Sequence, residues 1–133
     1  MIAGCDVSGW NRKSRAVRRE LLRTIPRAVQ EISDDVHRRT VKNLSGGVYL
    51  RGILPVRRVT GTLARSIQRA NVSFGLIAVF ANERIAHYAK YVHNGTRFMP
   101  PRRFLGDVIT ERRHWGHWKL KDSIIKAIRK VGR

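Results

Sequence analysis

Apolar residues first fall into register between Ser14 and about Leu44, where Val17, Leu21, Leu22, Ile25, Val29, Ile32 and Val36 recur at steps of three and four. That period marks one buried stripe of a long α-helix. Asn11 or Ser14 offers a side-chain cap at its start, and Pro26, lacking a backbone donor, predicts a kink near its middle. Ser45-Gly46-Gly47 ends the pattern, and the stretch on to Val59, with Gly52 and Pro55, reads as loop with one short strand at most.

The period then changes. Gln68 to Ser73 alternates, with Ala70 and Val72 set to face inward, and Phe74-Gly75 supplies a tight turn into the nearly all-apolar Leu76 to Ala81, so a β-hairpin is predicted. Ile85, Tyr88, Ala89 and Val92 form a short helical stripe that stops at Gly95, a residue suited to the left-handed position after a helix. Pro100-Pro101 breaks the chain, Leu105, Val108 and Ile109 suggest a further helical turn or two, and Trp118 to Val131 marks a terminal helix with Gly132 beyond. The order predicts an α+β fold in which a small antiparallel sheet packs against a long N-terminal helix and a C-terminal helix. At 133 residues one domain is expected, spanning 1–133, with 1–12 as a flexible N-terminal arm.

Charge changes the picture most. The 28 Lys+Arg against 9 Asp+Glu give a formal +19, which repels itself unless anions surround it. Phosphate or acidic protein partners are implied. Arg15, Arg18, Arg19 and Arg23, on the face of the first helix opposite its apolar stripe, are the candidate DNA-facing residues, although a basic surface needs no specific site to bind DNA by counterion release. A merely solvated charged face accounts for each of them singly. Cys5 is the single cysteine, so no internal disulfide forms, and no apolar run has the length of a membrane span. The first ten residues lack the pattern of a signal peptide.

Catalysis finds little support in the residue pattern. His114 and His117 stand three apart with His87 and His93 elsewhere, but no CxxC or HExxH pattern accompanies them, and an interfacial segment around Trp115 and Trp118 is the simpler account. The acidic residues are scattered, and the adjacent Asp34 and Asp35 point about 100° apart on a helix, so they do not converge on one cation. Ser66 and Ser73 have no His and acid in a recognisable arrangement, and Gly61 belongs to no complete phosphate-cradling motif. No catalytic residue, metal ligand or cofactor is expected.

Two segments carry a resemblance. The first holds Pro55, Thr60-Gly61, Leu63 and Ser66-Ile67, and the second holds Tyr91-Val92, Gly95-Thr96, Met99-Pro100, Arg103 and Phe104-Leu105. In that order, around a hairpin and before a C-terminal helix, they resemble the phage tail-completion family that includes gene product ten of lambdoid siphophages. Members commonly carry an acidic residue and an aromatic before Gly-Thr, where this chain has His93-Asn94. A related group of virion morphogenesis proteins shares similar Gly-Thr and Pro-Arg-Phe-Leu elements.

The resemblance implies a non-enzymatic structural subunit of the virion, at the neck of a tailed phage, in a ring commonly of six copies. Its neighbours would be the tail terminator or tail tube and the head connector, with nonspecific contact to packaged DNA. Aromatic and arginine side chains supply most hot-spot energy in protein interfaces, which makes Tyr91, Arg97, Phe98, Arg102, Arg103, Trp115 and Trp118 the candidate interface residues. Phe104 is read as core, and Gly95 as a position that only a residue without a β-carbon can hold. The competing expectation from charge alone is a sequence-indifferent DNA-binding or architectural protein.

Overall fold

A computed structural model describes residues 7–45 and 61–132. Cys5, Gly46-Gly47, Pro55 and Thr60, together with the strand looked for before Val59, lie outside the described residues. The elements run α1 (Val7–Leu44), α2 (Thr62–Ser66), β1 (Ile67–Ser73), β2 (Leu76–Ala81), α3 (Ala89–Asn94) and α4 (Gly106–Val131). The α+β architecture expected from periodicity is the one present: an antiparallel hairpin and two long helices, with α1 packed on α4 and on both strands.

α1 begins at Val7, so neither Asn11 nor Ser14 caps it and residues 7–12 of the expected arm are helical. Ser14 instead turns its hydroxyl back to donate to the Asn11 carbonyl at 3.1 Å. Once a helix is nucleated, each added residue contributes a backbone bond, and Gly9 alone does not stop propagation. Pro26 lies inside α1 without ending it.

Among the described residues four ion pairs join α1 to α4 and fix their antiparallel run: Asp35 with Arg112 at 2.7 Å, Glu31 with Lys119 at 2.8 Å, Glu20 with Lys130 at 2.8 Å and, more loosely, Arg39 with Glu111 at 4.0 Å. The two helical pieces expected near Val108 and beyond Trp118 are a single helix. Gly116, in its middle, is buried against α1, where a β-carbon would stand 3.5 Å from Ile32 Cγ2. A mid-helix glycine costs roughly 1 kcal/mol relative to alanine, and a β-carbon here would make only ordinary van der Waals contact with α1.

The hairpin is confirmed, with Phe74-Gly75 as its turn and Gly75 at φ 68°. Its facing, however, is opposite to that expected: Ala70 and Val72 are exposed. Ile67, buried at the strand start, sets the phase, and Arg69 on the same face pairs with Asp34 of α1. Side chains alternate, so Ala70 falls on the outer face, and Val72, unpaired at the register irregularity between Asn71 and Ser73, is exposed as well. The partner strand agrees, since Val79, opposite Arg69, packs on the core while Leu76 and Phe80 are exposed.

The core gathers where α1 ends. Leu44, Leu63, Ala64, Ile67, Ala86, Ala89 and Phe104 form one buried cluster, with Val41, Val92 and Leu105 packed on it. Gly61, at φ 72°, turns the chain into α2, so that Leu63 and Ile67 both point inward as their i and i+4 spacing requires. Ser66 is fully buried yet satisfied, its hydroxyl donating to the Leu63 carbonyl at 2.6 Å.

Candidate assembly interface

The segment from Tyr91 to Leu105 is built around two short closures. Thr96 and Met99 pair across a tight turn, Thr96 N–H donating to Met99 O at 2.8 Å and Met99 N–H to Thr96 O at 3.2 Å. Arg102 N–H donates to Val92 O at 3.0 Å, tying the return strand to α3. Gly95 makes this possible. Its φ of 78° and ψ of 170° are not the left-handed C′ geometry expected of it but an extended positive-φ conformation that only glycine adopts readily. A β-carbon there would meet Pro101 N at 2.7 Å and Met99 O at 2.9 Å.

At the tip of this turn Phe98 is 92% exposed, with the Arg97 guanidinium 5.8 Å from its ring centroid. Tyr91 is exposed as well, one turn before the glycine. Phe104 at the base is buried, as its apolar setting predicts, and meets His93 edge-on with ring centroids 5.2 Å apart. An exposed aromatic tip is thus held by a buried aromatic anchor.

His93 carries a role that its residue type alone does not announce. Its Nε2 accepts a hydrogen bond from Gly106 N–H at 3.3 Å, satisfying one of the unpaired amides at the start of α4, and Nδ1 lies 3.1 Å from Asn94 Oδ1.

No family model, curated protein or solved structure matches this chain.

Of the other candidate interface residues, Trp118 is 61% exposed, whereas Trp115 is half-buried beneath Arg112, whose guanidinium carbon lies 4.1 Å from the indole centroid. The same Arg112 is held by Asp35, which also binds Arg39 at 3.2 Å. Arg103 is exposed, while Arg102 is half-buried with its Nε enclosed and unpaired among the described residues. Arg97 and Phe98 thus share one turn, Tyr91 lies on α3 just before it, and Trp115 and Trp118 lie on α4.

Arg15, Arg18, Arg19 and Arg23 are all exposed on α1, in the half of the helix that precedes Pro26. Arg18 differs from the others because it lines an apolar groove with Val17 and Leu21. Among the described residues, no group of three or more His, Cys, Asp or Glu is placed to hold a metal ion, and His114 and His117 are both exposed on α4. No helix among them is long and apolar enough to cross a membrane.

The ionic pairs shape the electrostatics. The Lys130 ammonium, hydrogen-bonded to Glu20, holds that carboxyl below its ordinary pKa, and Glu31 bonded to Lys119 raises the lysine above its own.

Proposed function

We propose that this chain is a non-catalytic structural subunit of a tailed-phage neck, a tail-completion protein that joins the tail to the head connector as part of a ring. One observation carries the reading: the segment with the family-like Gly-Thr, Met-Pro and Phe-Leu elements forms a closed turn on a buried base, and that turn displays Phe98 and Arg97 to solvent. A rigid exposed aromatic beside an arginine is a preorganised protein contact, because little side-chain and loop entropy remains to be lost on binding. The formal charge of +19 supports a place beside packaged DNA or acidic partner rings. It also supports a monomer in isolation that assembles on its partners, since like charges are screened only over about 8 Å at physiological salt.

Phe98→Ala and Trp118→Ala test the reading. Both side chains are exposed, so each variant should fold with an unchanged melting temperature, and phage complementation should yield full heads and finished tails that do not join. If both variants fold and give joined, infectious particles, this interface is wrong; if deleting the gene still gives joined particles, the function is wrong.

A further inference from the structure

The buried stripe of α1 does not stop where its intramolecular cover stops. α4 ends beside Glu20, at Lys130, whereas α1 continues back to Val7, an overhang of about 20 Å at 1.5 Å per residue. Along and just inside this overhang Trp10, Val17, Leu21, Leu22 and Ile25 line an apolar groove of about 400 Å³. Trp10 is 72% exposed and Leu22 is 48% exposed. The hairpin turn closes one end, a β-carbon on Gly75 standing 3.5 Å from Ile25 Cγ2. The groove thus extends the face that covers the core further along the same helix.

We infer that this groove is a docking site for an acidic amphipathic helix of a partner protein. Among the described residues its cations are Lys13 and Arg18 and no carboxylate lines it, and the nearby Glu20 is engaged by Lys130. A second copy laid on the same face would set these cations against their own kind. An apolar ridge flanked by Asp and Glu satisfies both the groove and its edges, and a helix satisfies its own backbone groups while packing along α1. DNA is the poorer occupant because phosphates have no use for the apolar floor. They have a separate surface, since Arg12, Arg19 and Arg23 fall on the opposite side of α1 at 100° per residue. This assignment stands independently of the neck reading.

The test uses the full chain and a synthetic helical peptide with leucines along one face and glutamates on either side, beside a scrambled peptide of equal composition. Calorimetric titration at physiological salt should show the helical peptide binding at least roughly tenfold more tightly than the scrambled one. Trp10→Ser with Leu22→Ser should weaken it by roughly tenfold or more, while Arg19→Ala with Arg23→Ala should not. Amide shifts in the unaltered protein should concentrate between Trp10 and Ile25, which needs no variant to fold. The assignment is overturned by equal binding of both peptides, by no binding, by shifts spread over the arginine face, or by displacement of the peptide by duplex DNA. A wild-type dimer that the double serine variant dissociates would overturn it too, making the groove a contact between copies.

Discussion

Gly95→Ala perturbs the turn that presents Phe98, and the geometry sets its magnitude. At φ 78° and ψ 170° a residue with a β-carbon pays about 1–3 kcal/mol of backbone strain. The new carbon would also stand 2.7 Å from Pro101 N, 2.9 Å from Met99 O and 3.0 Å from Pro101 Cα. All three are backbone atoms, so no rotamer change relieves the overlap. The chain must either keep the strain or open the Thr96–Met99 pair, losing two hydrogen bonds worth about 0.5–1.5 kcal/mol each. Either route predicts a loss of about 1–3 kcal/mol. Urea denaturation measures the loss, and amide exchange at Thr96 and Met99 reports whether the turn opens. Gly132→Ala is the control: its φ of −79° is helical and its nearest contact, 3.6 Å from Ile128 O, is ordinary, so it should be neutral or slightly stabilising. A Gly95→Ala protein within about 0.5 kcal/mol of wild type, with both amides equally protected, would falsify the close-approach argument.

Asp35→Ala leaves Arg112 and Arg39 without their shared carboxylate at a site where Asp35 and Arg112 are less than a fifth exposed, and should cost about 2–4 kcal/mol in urea denaturation; a change under about 0.5 kcal/mol would show the pair to be inert. Glu20→Gln should matter only above the acid range. The folded pKa of Glu20 lies below its ordinary 4.5, so its contribution is present above that value and disappears as pH falls through the folded pKa. The melting temperatures of wild type and Glu20→Gln should therefore differ near neutrality and converge in acid, and a gap that widens in acid contradicts the pairing with Lys130.

Much of this fold is legible because local chemistry and tertiary packing agree. Phe74-Gly75 between an alternating and an apolar run has few alternatives to a hairpin, and Leu63 with Ile67, four apart, reach one core across a helical turn. The departures arise where a distant residue decides. Alternation alone leaves the phase of β1 open, and it is fixed by Ile67 at one end and by Arg69 reaching Asp34 on α1. Gly116 looks like an interruption, yet α4 runs through it, buried beside Ile32 of α1. At the candidate site, the residue types named the aromatics, but only the turn separates displayed Phe98 from anchoring Phe104. His93 could not be singled out from sequence because its partner, Gly106 N–H, is a backbone group brought near by the same turn.

The distribution of carboxylates bears on how so cationic a chain could contact its own copies in the proposed ring. Glu20, Glu31 and Asp35 are each engaged by a cation of α4, and Asp34 by Arg69, so the long helices retain few carboxylates for a neighbour. Two arginine-bearing α1 faces would meet as like charges, and ring closure through them would be opposed at physiological salt. Arg97 and Phe98 avoid this difficulty. The face of an aromatic ring is the negative part of its quadrupole, so a guanidinium can rest on it without a carboxylate, an attraction of about 0.5–2 kcal/mol that grows as water is excluded. Within one copy Arg97 already lies over Phe98, and Tyr91 leaves a second ring exposed on the adjoining helix. Contacts of this kind let a neighbouring copy supply the ring or the cation in turn, so self-contact is better suited to the Tyr91–Phe98 segment than to the arginine face of α1.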